Sequence, residues 1–381
     1  MKKILVVAAI IGLILSGTAL AEEPIKIGAI FAVTGKASWL GEPERNTVKM
    51  IEAEVNAAGG INGRPIEVIV EDTVGLEVNT VNAVKKLITK DNVIAIIGPS
   101  RSGTTMAVKP LAEEYEIPLI SCAAAEEIVS PVAKWVFKTP QKDSDCVIRI
   151  YEHMKSKGMT KAAIITGTTG FGAAGREQLK KYAGEMGIEI VTDETYGPAD
   201  TSMEAQLTKI KGTDAQAVIN WSIVPAQVIV PKNMRQLGMT IPLYQSHGFG
   251  NPKYGEACGE AGEGIIFPAG RLLVVDTLSD DNPQKAVLAK YKADYESKYS
   301  DQVSTFGGHA YDALWLVVNA LKAVGSDKAM IRDHIENTQG FVGTGGIFNF
   351  SAEDHCGLDK DAFEMITVKS GKFVALSSVE E

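Results

Sequence analysis

The stretch VIAIIGPSRSGTT, residues 93–105, decides the fold. Val93, Ile94, Ala95, Ile96 and Ile97 make an apolar run short enough for a buried strand. Gly98, Pro99, Ser100, Arg101, Ser102 and Gly103 turn the chain, and a helix is expected from Thr104 to about Glu116. A strand that feeds a helix through a small-residue turn leaves the first helical N–H groups unpaired. Together with the helix dipole, those groups favour an anion. Ser102 and Thr104 add hydroxyls beside them. Residues 102–104, Gly103 included, are therefore expected to hold a ligand carboxylate. An ordinary capped helix is the structural alternative.

The alternation extends in both directions. Upstream, IKIGAIFAV (25–33) reads as a strand, followed by a loop with Trp39, Leu40 and Gly41. Val48, Ile51 and Val55 recur at helical spacing, and GGING (59–63) turns the chain. IEVIVE (66–71) alternates as a strand, and residues 78–89 read as a helix. Downstream, IPLIS (117–121) is the next strand and ends in Cys122, Ala123, Ala124 and Ala125. Strands separated by crossover-sized helices predict a parallel sheet covered on both faces. In such sheets ligands sit outside the carboxyl ends of the strands, where residues 34–41, 100–104 and 122–125 fall.

After Phe137-Lys138-Thr139-Pro140 the pattern restarts, with strands expected at 161–166, 188–195, 217–221, 241–245 and 265–267. Helices are expected between them, at 146–157, 174–186, 203–210 and 225–237. Three more helices follow at 282–299, 309–324 and 328–339, then a strand within 344–350 and a hairpin turning at Ser370-Gly371. Two α/β units are the expectation.

A chain of 381 residues exceeds a typical single core, which agrees with two domains. Its first 21 residues read as a secretory leader: Lys2 and Lys3, an apolar run at 4–15, and the small-residue site Ala19-Leu20-Ala21. Glu22 follows that site, so a lipid-anchoring cysteine is not indicated, and an exported protein is expected. The formal net charge is −9, without any Lys or Arg run, which argues against a nucleic-acid partner. Cys122, Cys146, Cys258 and Cys356 allow three full pairings. The loop-like surroundings of Cys258 and Cys356 favour joining those two, and Cys122, after a buried strand, reads as a free thiol.

Catalytic signatures are missing. Residues 98–102 read GPSRS and not the nucleophile elbow G-x-S-x-G. The glycines of GTTGFG (167–172) do not match the dinucleotide fingerprint, and there is no Walker loop or HExxH. The five histidines show no metal-ligand spacing, so neither metal nor cofactor is expected. His153 and His334 read as surface or packing residues, and His309, at a helix start, as packing. His247 follows a strand at the predicted cleft edge and is read as a pocket residue. Phe171 and Trp221 fall just past strands of the second unit, where a pocket wall would lie.

The segments IKIGAIFAVTGKASWLG, INGRPIEVIVEDT, VIAIIGPSRSGTT, EYEIPLISCAAA and GGHAYDAL together resemble the periplasmic solute-binding proteins of branched-chain amino acid ABC importers, the two-lobed leucine-binding type. The resemblance covers about residues 25–373. It implies the type I periplasmic binding fold: two Rossmann-like α/β lobes with parallel sheets, joined by a three-segment hinge. The crossings are expected near 139–142, 268–272 and 348–351. The first lobe would comprise 22–142 and 273–350, the second 143–272 and 351–381. Ser102 matches the serine that holds the ligand carboxylate, and Ala123 a backbone contact to it. Ala125 stands where amino-acid binders often carry a threonine for the ammonium. Leu40 replaces a first-lobe tyrosine, Phe171 a second-lobe aromatic, and Trp221 or Ile223 another tyrosine. His247 stands where amino-acid binders carry an acid that pairs with the ammonium.

A buried ammonium without a carboxylate partner is costly. The expected ligand is therefore a small carboxylate lacking an α-ammonium, an aromatic carboxylic acid above all. A branched-chain or other amino acid is the alternative, should another acid enter the cleft. The resemblance also implies permease and ATPase partners in the membrane, a monomeric state, and no enzymatic activity. A sensory ligand-binding protein would share the same fold.

Overall fold

The structure, a computed structural model, describes residues 23–380. The expected leader lies outside the described residues. Among those described, no helix is long and apolar enough to cross a membrane.

The first sheet contains β1 (Ile25–Phe31), β2 (Ile66–Asp72), β3 (Ile96–Ile97), β4 (Leu119–Ser121) and β5 (Val136–Lys138), in the order β2-β1-β3-β4-β5 with every pair parallel. Parallel strands covered on both faces are near-continuous apolar runs, and β1 is buried at six of its seven positions. Strand β3 has two residues where a five-residue strand was expected. The chain still runs beside β1: the Ile94 amide donates to Lys26 O at 3.0 Å and the Gly28 amide to Ala95 O at 2.9 Å. Apolarity there marks burial, and the regular ladder is shorter than the buried run.

The second sheet starts with β6 (Lys161–Gly167), β7 (Glu189–Tyr196), β8 (Ala217–Trp221), β9 (Leu243–Gln245) and β10 (Ile266–Gly270). After it, β11 (Phe341–Val342) and β12 (Ile347–Phe348) make a small antiparallel ribbon. The chain then returns to the second sheet with β13 (Phe363–Lys369) and β14 (Lys372–Ala375). Its order is β14-β13-β10-β9-β8-β6-β7, antiparallel only at β13 and β14. Ser370 and Gly371 turn the hairpin with φ of 52° and 74°, the backbone a tight two-residue turn requires.

Each sheet carries its own core. The first is covered by the helices Ser38–Ala57, Glu77–Thr89, Ser102–Glu114 and Thr305–Val324. The second is covered by Asp143–Ser156, Gly170–Ala183 and Ile229–Gln236. The chain passes between the sheets three times: after β5, after β10 and before β13. Cys356, Leu358 and Ala362 belong to the first core and Phe363 to the second. We therefore place the third crossing near residues 359–362, later than the sequence suggested.

Buried polar groups anchor the first crossing and the turn beside it. Thr139 Oγ1 donates to His309 O at 2.9 Å, and Gln141 Nε2 to Gly345 O at 2.7 Å. Asp312 accepts the amides of Thr344 at 2.6 Å and Gly345 at 2.7 Å. This explains why most of 344–350 is not the expected strand: two of its amides serve a carboxylate instead of a ladder. Burial pushes Asp312 up to about 7 despite those bonds.

The expected Cys258–Cys356 pairing is corrected, since all four thiols are free and buried. Cys258 packs in the second core and Cys356 in the first, where its Sγ donates to Pro140 O at 3.4 Å.

Gly41 sits where the Ser38–Ala57 helix meets the end of β1. A Cβ there would fall 2.2 Å from the Ala32 carbonyl carbon, and backbone cannot yield as a side chain does. Gly41→Ala is expected to lower unfolding stability by about 1–3 kcal/mol. Urea denaturation checks this, and an unchanged midpoint would refute the close approach.

Candidate functional site

The segments that leave the carboxyl ends of β4, β6, β8 and β9 meet in one place. Ala123 and Ala124 follow β4, Phe171 follows β6, Ile223 follows β8, and His247 and Gly248 follow β9. With Cys122, Pro140, Phe306 and His309 they enclose a small cavity. A larger groove, about 580 Å³, lies at the opposite ends of β9 and β10 among Met234, Ile241 and Ile266, away from this convergence.

Helix starts point into the junction. The Ser102–Glu114 helix begins two residues earlier than expected. Its first backbone bond is from the Thr105 amide to Arg101 O, at 2.9 Å. The amides of Ser102, Gly103 and Thr104 thus have no intrahelical acceptor. Ser102 is 2% exposed, and its Oγ accepts the Ala125 amide at 3.2 Å, which ties the helix start to the 122–125 segment. Thr104 is buried, but its hydroxyl donates back to Arg101 O at 2.8 Å. Across the cleft, the Gly170–Ala183 helix also begins here. A Cβ on Gly170 would lie 3.0 Å from the Gly103 amide nitrogen, so the two helix starts nearly touch and leave little room for a side chain. The Thr305–Val324 helix starts four residues earlier than the sequence suggested, capped by Ser304, whose hydroxyl accepts the Gly307 amide. That extra turn brings Phe306 and His309 to the cavity. Several positive helix ends converging on one small space favour an anion there.

The named residues divide. Ala123, Phe171, Ile223 and His247 line the cavity, while Ser102 and Ala125 stand bonded to one another beside it. Trp221 does not line it. It is fully buried behind, with its ring 5.7 Å from Phe171 and 5.6 Å from His247. Leu40, expected as a first-lobe wall, packs into the second lobe's core. Beside it, Trp39 contacts Tyr254 edge-on at 5.1 Å, and Trp39 O accepts Asn251 Nδ2 at 2.9 Å. These two residues clasp the lobes shut.

His309, read from sequence as packing, is on the cavity wall. Lys138 and Asp143 were missed. Both are completely buried at the first crossing. The Lys138 Nζ donates to Ala124 O at 2.6 Å and so holds the segment that lines the cavity. Asp143 Oδ1 lies 3.4 Å from His247 Nε2. The only signal for either was a charged cluster, KTPQKDSD, in a segment joining two lobes. Buried charge at a crossing has no apolar periodicity to reveal it.

Burial, reinforced by the Lys138 ammonium, pushes both imidazoles down: His309 to about 3 and His247 well below its ordinary value. Burial pushes the Asp143 carboxyl up, against the pull of Lys138. The cavity therefore presents neutral histidines near pH 7. A histidine held neutral by folding contributes stability that is present above its unfolded value near 6.5 and lost as pH falls toward 3. His309→Gln is expected to flatten the acid loss between those values, by on the order of 4 kcal/mol at the acid end. Thermal denaturation of both proteins across pH 3–7 measures it, and parallel curves would refute the assignment.

A model of the family described as periplasmic binding protein matches residues 24–370. The leucine-, isoleucine-, valine-, threonine- and alanine-binding protein of Pseudomonas aeruginosa is 24% identical over 311 residues, 80% of each chain. An extracellular ligand-binding receptor from Rhodopseudomonas palustris HaA2 superimposes with a TM-score of 0.87 at 26% identity, over 93% of this chain and 100% of that one. The branched-chain amino acid transporter substrate-binding protein of Streptococcus pneumoniae, solved with isoleucine, gives 0.80 at 28%, over 93% and 98%. A match spanning nearly the whole chain settles the kinship: the chain belongs to the periplasmic binding protein family, of the leucine-binding type.

Proposed function

We propose that this protein captures a small aromatic carboxylic acid without an α-ammonium and delivers it to an ABC importer's permease and ATPase subunits. Its family consists of solute-binding proteins, not enzymes. The observation that carries the ligand reading is the chemistry of the cavity wall. The wall itself includes Phe171, Ile223, Phe306 and two neutral imidazoles, with no carboxylate among the lining residues. Beside it stand the Ser102 hydroxyl and helix-start amides without an intrahelical acceptor. A carboxylate head gains hydrogen bonds there, whereas an ammonium would be desolvated beside His247 and His309 without an acid on the wall.

Loading a ligand into so small a space requires the lobes to part about the three crossings, as in hinged closure around a solute. The Trp39–Tyr254 and Asn251–Trp39 contacts, the Lys253–Asp301 ion pair and the Thr305–Gly250 bonds are among those that release. Monomeric operation fits, because both walls come from one chain.

An amino-acid ligand is the second reading. It draws support from Asp143, one imidazole behind the wall, and from the isoleucine in the Streptococcus pneumoniae relative.

Thermal shift assays with benzoate-type acids against leucine, isoleucine and valine separate the two. Stabilisation by the aromatic acids is expected, and stabilisation by the aliphatic amino acids alone would overturn the proposal. Ser102→Ala removes one hydroxyl contact to the head group and is expected to weaken binding about tenfold. Calorimetry reads that change, and an unaltered affinity would move the carboxylate elsewhere.

A further inference from the structure

One buried contact, between His247 on the cavity wall and Asp143 behind it, narrows the reading above. Asp143 opens the Asp143–Ser156 helix and is 0% exposed. Both of its carboxylate oxygens are buried without a hydrogen-bond partner, and so are both ring nitrogens of His247. Unsatisfied buried polar atoms are costly, and a single Nε2–H···Oδ1 contact relieves two of these four. The 3.4 Å separation is long for such a bond but within reach of a small side-chain adjustment. The ring has little freedom to turn away, with Phe171, Trp221 and Phe363 edge-on around it at 5.3, 5.6 and 5.7 Å.

The direction of the bond follows from charge. The Lys138 ammonium is completely buried, and its hydrogen bonds go to two carbonyls, those of Ala124 and Gln141. A buried cation favours a negative charge nearby, and Asp143, whose carboxyl burial pushes up and Lys138 pulls back down, is the unpartnered acid that feels it. In the charged form that Lys138 favours, Asp143 accepts and His247 donates. A neutral imidazole that donates from one nitrogen must accept at the other.

We propose that Asp143 is a positioning residue that fixes His247 as the Nε2–H tautomer, so that Nδ1 offers the bound ligand a lone pair and the cleft selects an aromatic acid bearing a ring hydroxyl. This rests on the aromatic-acid reading and narrows it. A hydroxyl donates to the bare nitrogen. A methoxy group of similar size only accepts and leaves two acceptors facing each other.

The test uses the mature full-length chain and its Asp143→Asn variant, titrated calorimetrically with benzoate, 3- and 4-hydroxybenzoate, the matching methoxybenzoates and leucine. At least one hydroxybenzoate is expected to bind about tenfold or more tighter than its methoxy counterpart. In Asp143→Asn, whose amide either donates or accepts, that ratio is expected to shrink to about threefold or less. Nitrogen-15 NMR of the imidazoles in the unsubstituted protein is expected to show His247 protonated at Nε2 and bare at Nδ1. Equal hydroxy and methoxy binding, a ratio unchanged by the substitution, or a proton on Nδ1 would each overturn the proposal. Binding of leucine with none of the aromatic acids would overturn the ligand reading itself, while the NMR result still judges the tautomer separately.

Discussion

Three amides at the start of one helix have no acceptor within that helix, and much of the molecule is arranged around them. The Ser102 hydroxyl ties them to the segment after β4, and Lys138 fixes that segment from below. The Gly170 helix start approaches within contact of Gly103, so a second positive helix end faces the same space. Such an arrangement favours a negative charge. Its shape is set by backbone, and the approach at Gly170 is tight: a Cβ there would lie 3.0 Å from the Gly103 amide nitrogen.

The first crossing is not a slack linker. Thr139 bonds to the Thr305–Val324 helix and Gln141 to the turn between β11 and β12, and Asp312 of that helix holds the same turn. That helix in turn carries Phe306 and His309 to the cavity. A shift of the first crossing and a change in the cavity wall are thus mechanically linked, through contacts that are hydrogen bonds and not simple packing.

The alternating strands and helices were legible because burial on two faces writes continuous apolar runs, as in β1, β6 and β8. The helix start at Ser102 was legible because small residues between a buried run and a helix have few other uses. His247 could be singled out because it closes a strand. Leu40 and Trp221 lie off the cavity lining, and a common reason hid this from the sequence. Sequence tells that a large apolar residue lies near a strand end but not which side of the wall it occupies. Leu40 reaches across into the opposite core, and Trp221 backs Phe171 and His247. Asp143 and Lys138 were invisible because their burial depends on two chain crossings that meet only in three dimensions. The boundaries of β3 and of the 344–350 segment failed where side chains took amides that a strand would have used.

The central claim is that the cleft holds a carboxylate and has no place on its wall for a cation. It is met most directly by mass spectrometry of small molecules released from the protein purified under native conditions. An aromatic acid without an amino group, at close to one per chain, is the expected result. A stoichiometric α-amino acid would contradict it.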